Sequence, residues 1–342
     1  MKRKSLFIII LFLLTFISVA NGQNSRAAQS PLPVQWPQTL FETPAVFTAP
    51  KEYAADGLKS VFLAGPAYHG KPTQIFAYYG IPKLKAGEKC PGIVLIHGGG
   101  GTAFADWVRL WNSRGYAAIA MDTCGCLPGG EHNNRPRHDY GGPAGWGNFA
   151  SSMEPVTEQW VYHAVSSVIL SDSFLRSLPG VDPGRIGVTG ISWGGFLACI
   201  SAAVDTRFRF AVPVYGCGFL DENSVMSPEI AKLGETGSKW ADLWDPKHYL
   251  PKVVIPILWV TGANDFAFPM DSLQKSYRLP AATHTLCIRL GMKHGHGGPG
   301  ENPGEIRVLP TTSCFPAQLC PVLSHRDGKE TMFGCHIKAI YL

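Results

Sequence analysis

Charged side chains are scarce in this chain: only 16% of its 342 residues are Asp, Glu, Lys or Arg. The formal net charge is +5, and three of the basic residues stand together at positions 2–4. So weak an excess of positive charge does not predict a surface that binds nucleic acid. Because 45% of the residues are hydrophobic, the chain has enough apolar material for a large core and is not of the disordered class.

The first apolar run, residues 6–19, is shorter than the roughly 20 residues that a membrane-spanning helix needs. It follows the basic residues 2–4 and precedes residues 20–22, where small side chains suit a signal peptidase. We therefore expect residues 1–22 to be a cleaved signal peptide. The protein is then secreted or periplasmic, with no stable membrane anchor after cleavage. Residues 23–45 are polar and rich in proline and predict a flexible lead-in.

Internal repeats, G-X-Y triplets and paired C-x-x-C motifs are absent from the sequence, which excludes solenoids, propellers, collagen and zinc ribbons. The 38 glycines and 27 prolines therefore indicate many turns. Nine cysteines permit disulfides in an exported protein, but most lie inside apolar runs, where small buried thiols are expected. Cys124 and Cys126 are too close in sequence for an ordinary bridge between the two.

Short hydrophobic runs alternate with helical patterns along the middle of the chain. The runs of strand type are residues 59–64, 74–81, 92–97, 116–122, 185–190, 208–216, 253–262 and 285–290. Strands that alternate with helices predict an α/β fold, with a mostly parallel central sheet flanked by helices. Residues 219–250 are more polar, interrupt the alternation and predict a small cap segment.

A G-x-S-x-G motif occupies residues 190–194, between a predicted strand and a predicted helix. The turn of such a motif is so tight that small residues must flank Ser192. The helix that begins at the serine aims the Trp193 amide at the oxygen of a tetrahedral intermediate. We interpret Ser192 as a nucleophile and Trp193 as an oxyanion donor. The alternative is a glycine-rich packing turn with an incidental serine.

A glycine-rich stretch, HGGGG at residues 97–101, follows an earlier predicted strand. Glycines let the backbone approach a reacting carbonyl, so the amide of Gly98 or Gly99 is the expected second oxyanion donor. A phosphate-binding loop is the alternative, but the stretch lacks both the G-K-[ST] ending of a P-loop and the GxGxxG spacing.

A serine hydroxyl becomes a nucleophile when a base takes its proton and an acid orients that base. Asp265 follows the strand at 253–262 and is the expected acid. His294 and His296 follow the next strand, and we favour His296 as the base because glycine flanks it on both sides. His294 is the alternative because it comes sooner after the strand. The pair could also bind zinc, but no HExxH motif or acidic cluster accompanies it, so no metal or cofactor is expected.

Four motifs give residues 58–305 a resemblance to a known family: HGGGG, DPGRIGVTGISWGG, TGANDFAFP and HGHGG. The chain resembles the α/β-hydrolase superfamily, in the branch of acetyl xylan esterases, cephalosporin-C deacetylases and dienelactone-hydrolase-like proteins. The resemblance implies an α/β-hydrolase domain over residues 46–305 and a metal-free acyl-enzyme mechanism that deacetylates plant polysaccharide. Dienelactone hydrolases use a cysteine where this chain has Ser192.

The long segment 123–150 joins a strand's carboxyl end to the next helix and is expected to line the substrate mouth. The substrate implied by the resemblance is a small-molecule or polysaccharide ester. Trp146 and Phe149 are expected to stack on a sugar face. Hydrogen bonds to sugar hydroxyls are expected from Arg137, His138 and Asp139. An equal alternative is that Trp146 only pins the loop to the body of the protein.

Two other functions stay open. A serine peptidase like prolyl oligopeptidase shares the order of the three residues, although residues 23–58 are too short for the β-propeller of those enzymes. The chain could also be an inactive carbohydrate-binding or scaffold protein. Residues 306–342 show no helical period where the family would continue with a long helix, and we expect an atypical, altered or frameshifted tail. The sequence leaves the oligomeric state open.

Overall fold

The computed structural model describes residues 31–296 of the chain. The predicted signal peptide, residues 1–22, and the predicted atypical tail, residues 306–342, lie outside the described residues. Among the helices of the described part, none is long and apolar enough to cross a membrane.

Within residues 31–296, nine strands form one sheet in the order β1-β2-β3-β5-β4-β6-β7-β8-β9. The strands are β1 (Val46–Thr48), β2 (Lys59–Tyr68), β3 (Lys71–Gly80), β4 (Cys90–Ile96), β5 (Ala117–Met121), β6 (Val181–Ile191), β7 (Ala211–Val214), β8 (Ile257–Gly262) and β9 (His284–Arg289). The first three strands are antiparallel to their neighbours. From β5 to β9 all neighbouring strands are parallel, so the predicted mostly parallel sheet is confirmed.

Helices connect and cover these strands. In the described part of the chain the α-helices are α1 (Ala105–Asn112), α2 (Trp160–Ser177), α3 (Trp193–Val204), α4 (Leu220–Asn223), α5 (Ser227–Lys232), α6 (Glu235–Trp244) and α7 (Met270–Tyr277). The longest of them, α2, follows the long segment after β5, as the sequence pattern predicts.

The sheet is buried on both faces, because alternate side chains of its central strands enter two different hydrophobic cores. In β4, Val94 and Ile96 belong to the core that α2 and α3 cover, whereas Ile93 and Leu95 belong to the core that includes α1. All seven residues of β4 are buried. A continuous apolar run, without alternation, is the pattern that a strand covered on both faces requires.

The polar segment 219–250 folds into the short helices α4, α5 and α6 between β7 and β8. The Asp245 carboxylate fixes the start of this segment, because it accepts hydrogen bonds from the backbone N–H groups of Phe219 and Leu220, both at 2.8 Å. Trp244 is buried in the core that α2 and α3 cover. The predicted cap segment therefore shares its core with the sheet.

Residues 32–45 of the predicted lead-in are packed against the domain, which corrects the expectation of a flexible segment. Val34 and Leu40 are buried in the main core. The Trp36 ring stacks on the Tyr162 ring of α2 at a centroid distance of 5.1 Å. These apolar side chains are few among polar residues and prolines, so the average composition of the segment did not indicate that they are buried.

The carboxyl ends of the parallel strands meet at one edge of the sheet, where open α/β sheets bind their ligands. Residues 97–101 follow β4, Ser192 follows β6, Asp265 lies in the turn after β8, and His294 lies in the turn after β9. The topology thus brings the motifs of distant parts of the sequence to one place.

Candidate active site

Ser192 stands in the tight turn between β6 and α3, with backbone angles φ 59° and ψ −119°. A positive φ is strained for a residue other than glycine, and such strain is typical of functional turns. The turn needs both of its glycines. A Cβ on Gly190 would lie 2.1 Å from the Gly194 carbonyl oxygen, and one on Gly194 would lie 2.1 Å from the Ile96 carbonyl oxygen. The turn thereby presents the Ser192 hydroxyl at the carboxyl edge of the sheet.

His294 connects Ser192 to Asp265. Its Nε2 atom lies 2.8 Å from the Ser192 Oγ atom, and its Nδ1 atom lies 2.8 Å from Asp265 Oδ2. The sequence favoured His296 at this position, and the structure corrects that preference by two residues. The chain that follows β9 passes Ser192 at His294. His296, two residues further on, contacts Gly98 instead.

Asp265 is only 9% exposed, and hydrogen bonds occupy both of its carboxylate oxygens. Oδ1 accepts from the backbone N–H of Ala267 at 3.0 Å and from that of Phe268 at 2.8 Å. Oδ2 accepts from the Nδ1–H of His294, which leaves the Nε2 lone pair to accept the Ser192 hydroxyl. The carboxylate therefore selects the tautomer in which the Nε2 atom of His294 is free of a proton and can accept one from the serine.

His296 lies in front of the glycine-rich turn. Its Nε2 atom accepts a hydrogen bond from the Gly98 N–H at 2.9 Å, and its ring centroid lies 4.5 Å from that of Phe104. Gly98 is close to Ser192, since a Cβ built on Gly98 would lie 3.2 Å from the Ser192 Cβ. The predicted donor Gly98 therefore lies beside the serine. Its N–H must give up the hydrogen bond to His296 before it can bind an oxyanion.

The other parts of the predicted oxyanion site lie close by. The His97 Nε2 atom accepts the Thr123 N–H at 3.1 Å, so its Nδ1–H donates to the Gly98 carbonyl at 2.8 Å and holds the turn. A Cβ on Gly99 would lie 2.9 Å from the Trp193 Cδ1 atom. The turn thus contacts the first residue of α3, and the three predicted donor residues are neighbours.

One cluster of possible metal ligands occurs within residues 31–296: His97, Asp122 and Cys124, with ligand atoms within 4.8 Å of one another. Hydrogen bonds already use these groups. The Asp122 Oδ2 atom accepts the backbone N–H of Cys124 at 2.9 Å and that of Cys126 at 2.8 Å. The two ring nitrogens of His294 are likewise engaged by the serine and the aspartate, which disfavours zinc binding by His294 together with His296.

Two loop residues that were predicted to bind sugar have other roles. Phe149 is only 2% exposed and packs edge-to-face against Trp240 at a centroid distance of 4.6 Å, so it has no face for a sugar. The Arg137 guanidinium donates to the backbone carbonyls of Cys124 and Gly142. Its hydrogen bonds therefore hold the loop itself together.

The remaining three loop residues lie in different surroundings. The His138 ring packs 5.0 Å from the Phe62 ring of β2, on the antiparallel side of the sheet, and burial lowers the pKa of His138. Asp139 is exposed. Trp146 is half-buried. Its ring lies beside the glycine-rich turn, since a Cβ built on Gly99 would lie 3.9 Å from the Trp146 Cδ2 atom. Of the five predicted sugar-binding residues, Trp146 is the one with a contact to this turn.

Two residues beside the site were not predicted. The Tyr215 hydroxyl donates to the Gly295 carbonyl at 2.7 Å, and its ring centroid lies 4.5 Å from that of His294, so it holds the histidine turn. Phe266 is 70% exposed with its ring 5.2 Å from the His294 ring. Tyr215 lies at the end of the predicted strand 208–216 and Phe266 follows the predicted strand 253–262, and a position at a strand's carboxyl end is the signal that could have found them.

Comparisons with known families give two matches. A family model described as acetyl xylan esterase matches residues 49–223, slightly more than half of the chain. A second model, described as the prolyl oligopeptidase family, matches residues 152–310, which include Ser192, Asp265 and both histidines.

The fold is similar to solved structures of acetyl xylan esterases. The enzyme from Paenibacillus sp. R4 is 21% identical with a TM-score of 0.63, over 80% of this chain and 91% of that chain. Acetyl xylan esterase 1 from Thermoanaerobacterium sp. JW/SL YS485 is 18% identical with a TM-score of 0.61, over 82% and 92%. Acylaminoacyl peptidase from Pyrococcus horikoshii is 20% identical with a TM-score of 0.54, over 75% and 41%. These similarities establish the α/β-hydrolase fold.

The curated relatives of this chain include two larger peptidases. The uncharacterized peptidase YuxL of Bacillus subtilis is 26% identical over 227 residues, which are 57% of this chain and 31% of that protein. The dual function macrocyclase-peptidase POPB of Amanita bisporigera is 30% identical over 146 residues, or 38% and 20%. The chain thus spans less than a third of the length of these relatives.

Proposed function

The chain belongs to the acetyl xylan esterase family, and we propose that it removes acetyl groups from plant polysaccharide through Ser192, His294 and Asp265. Membership confirms the resemblance that the motifs give, and together with the α/β-hydrolase fold it makes the chain a carboxylic-ester hydrolase. The observation that carries the catalytic assignment is the continuous hydrogen-bonded relay of 2.8 Å and 2.8 Å that begins at the strained serine.

Acylation begins when the Ser192 Oγ atom attacks the acyl carbonyl. The Nε2 atom of His294 takes the serine proton, and the Asp265 carboxylate stabilises the imidazolium that forms. The bond between the acyl carbon and the sugar oxygen then breaks, the imidazolium gives its proton to that oxygen, and the sugar leaves as a free hydroxyl while the acetyl group stays on the serine. Water, activated by the same nitrogen, attacks the acyl-enzyme and releases acetate.

The oxygen that becomes negative during both steps is held by backbone amides. The Trp193 amide lies at the N-terminus of α3, and the second donor is the amide of Gly98 or Gly99. If Gly98 serves, the substrate carbonyl takes the place of the His296 Nε2 atom as the acceptor of its N–H. Exchange of one acceptor for another costs less than exposure of an unpaired donor, so the hydrogen bond to His296 is one that the substrate carbonyl can replace.

Peptidase activity is the second candidate, because the prolyl oligopeptidase model and both curated relatives favour it. An arrangement of serine, histidine and aspartate of this kind can hydrolyse amides as well as esters. A catalytically inactive binding or scaffold protein is the third. The intact relay argues against it, since a protein that only binds carbohydrate has no need of a strained serine with a bound base.

One substrate panel separates the three candidates. We expect the purified chain to release acetate from acetylated xylan and to cleave p-nitrophenyl acetate much faster than p-nitrophenyl octanoate. Ser192→Ala should abolish both reactions, while Ser238→Ala, on the exposed part of α6, should leave them unchanged. Faster cleavage of a peptidyl anilide than of any ester would favour the peptidase, and no turnover of any substrate would favour the scaffold.

Export is proposed together with this substrate, because polysaccharide is encountered outside the cytoplasm. The support is the basic, apolar and small-residue pattern of residues 1–22. N-terminal sequencing of the protein recovered from the periplasm or the medium should begin near Gln23. Recovery of the unprocessed chain from the cytoplasm alone would contradict export without affecting the esterase assignment.

A further inference from the structure

Two thiols meet in the loop that follows β5. The Sγ atoms of Cys124 and Cys126 lie 3.3 Å apart, and the Cys124 thiol donates a hydrogen bond to the Cys126 sulfur. Both residues are largely buried. Neither sulfur belongs to the relay between the serine, the histidine and the aspartate.

The backbone holds these two side chains together. Gly125 between them has φ 75°, a left-handed conformation that glycine adopts without strain. Asp122 fixes both ends of the turn, because its Oδ2 atom accepts the backbone N–H of Cys124 at 2.9 Å and that of Cys126 at 2.8 Å. A Cβ on Gly125 would lie 2.6 Å from the Gly141 Cα atom, so the turn is confined from outside as well. The sulfurs are therefore preorganised for reaction with each other.

The two thiols differ in acidity. The hydrogen bond from Cys124 lowers the pKa of the Cys126 thiol, and the guanidinium groups of Arg137 and Arg135 lower it further, against burial and the charge of Asp122. The same hydrogen bond raises the pKa of the Cys124 thiol, and burial adds to that effect. Cys126 is also the more exposed of the two residues, at 8% against 3% for Cys124, so a small molecule reaches the Cys126 sulfur first.

We propose that Cys124 and Cys126 form a redox-active dithiol, which a low-molecular-weight disulfide oxidises to a reversible disulfide within the loop. The Cys126 thiolate attacks one sulfur of the small disulfide, forms a mixed disulfide and displaces one thiolate. The Cys124 sulfur then attacks the Cys126 sulfur and displaces the second thiolate. The two protein sulfurs lose two electrons, and their two protons leave with the small molecule, which is released as two thiols.

The single residue between the cysteines makes the bond reversible. A disulfide between such close positions closes a small, strained ring. Strained disulfides are more easily reduced than the structural bridges of secreted proteins. The short spacing that argues against an ordinary structural bridge between Cys124 and Cys126 thus favours a bridge that opens and closes.

The pair also adjoins the proposed ester site. Thr123, which precedes it, donates its N–H to His97 at 3.1 Å and accepts the Trp160 Nε1–H at 2.8 Å. His97 in turn holds the carbonyl of Gly98. The dithiol therefore lies on the segment that supports the glycine-rich turn.

The test uses the full chain, reduced and then equilibrated with glutathione and glutathione disulfide at increasing ratios. After an acid quench, free thiols are alkylated in denaturant and the peptides are mapped by mass. We expect the peptide with Cys124 and Cys126 to lose both labels together and to lose the mass of two hydrogens. Dithiothreitol should restore both labels. Cys90, whose thiol donates to the Gly180 carbonyl at 3.4 Å, is the internal control and should keep its label throughout.

Two single variants test the order of attack. In Cys124→Ser the second step is impossible, so glutathione should remain attached to Cys126 as a mixed disulfide. In Cys126→Ser the remaining Cys124 should stay unmodified over the same range. Circular dichroism of the reduced variants checks that they fold, and the wild-type map decides the question if either does not.

Three results would overturn the proposal. The first is a wild-type peptide that keeps both labels at every ratio. The second is glutathione that stays attached to the wild-type pair, which would show that the sulfurs do not close a ring. The third is a bridge from Cys124 or Cys126 to any other cysteine of the chain.

Discussion

At the scale of single residues, the two histidines of the turn after β9 have different partners. The His294 ring uses Nδ1 for Asp265 and Nε2 for Ser192, each at 2.8 Å, which fixes one tautomer and one orientation. The His296 ring accepts the N–H of Gly98. Removal of the first ring leaves the serine without a base, whereas removal of the second leaves one backbone donor without its acceptor.

His294→Ala should therefore lower kcat for p-nitrophenyl acetate by roughly 10³ or more, since the serine keeps its proton. His296→Ala should retain most of the activity, because the lost hydrogen bond is worth about 1 kcal/mol. Steady-state kinetics of both variants, with thermal melts to confirm folding, make the comparison. An inactive His296→Ala beside an active His294→Ala would refute the assignment of the base.

At the scale of elements, the strand–turn–helix unit of β6 and α3 leaves no space at its two glycines. A Cβ on Gly190 would lie 2.1 Å from the Gly194 carbonyl oxygen, and backbone atoms cannot rotate out of the way as a side chain can. The close approach lets α3 begin directly at Ser192, so that the N-terminus of the helix lies beside this serine.

Gly190→Ala should lower the free energy of unfolding by about 3 kcal/mol, as overpacking in a rigid core does, and should reduce kcat through displacement of the serine. Gly184→Ala is the matched control, at an exposed position of the same strand. Its Cβ would lie 3.2 Å from the Asp182 Oδ1 atom, a side-chain atom that can move. Urea denaturation measures both variants, and equal stability of the two would contradict the packing argument.

The helix α2 carries a titratable group in its first turn. His163 is buried and lies 2.9 Å from the Thr157 carbonyl oxygen through Nε2, and burial lowers the pKa of His163 to about 4. In the unfolded chain the pKa of a histidine is about 6.5. Below pH 6.5 this histidine therefore takes up a proton in the unfolded chain, whereas in the folded chain His163 stays neutral until the pH reaches about 4.

The free energy of unfolding should therefore fall as the pH drops from about 6.5 to about 4, by at most about 3 kcal/mol from this residue. His163→Gln keeps a hydrogen-bond donor but does not titrate, so it should flatten that part of the pH dependence. Urea denaturation at several pH values measures the slope, with His132→Gln, at an exposed loop position, as the control. An unchanged slope in His163→Gln would show that His163 is not the group responsible.

At the scale of the whole molecule, the sheet could be predicted because its central strands carry their own signal. Residues 92–97 and 253–262 are continuous apolar runs, and a strand covered on both faces is the element that buries such a run. The strand ends then place the serine, the aspartate and a histidine at one edge of the sheet. That much of the proposed site follows from local pattern and topology.

The choice between the two histidines could not be predicted, because contacts between distant residues decide it. The turn after β9 is fixed by the Tyr215 hydroxyl, which bonds to a carbonyl 80 residues further along the chain. The same holds for Phe149, which became a core residue because Trp240 of the cap segment packs on it. The local sequence around Tyr215 and around Phe149 does not indicate either of these long-range contacts.

The central claim is that Ser192 is a nucleophile activated by His294. The most direct measurement is covalent labelling with a serine-directed fluorophosphonate, mapped by peptide mass in the wild-type protein and in His294→Ala. We predict that the label lies on Ser192 and that His294→Ala reacts at least roughly 10²-fold more slowly, as loss of a general base requires. A label on another serine, no label at all, or equal rates in the two proteins would contradict the claim.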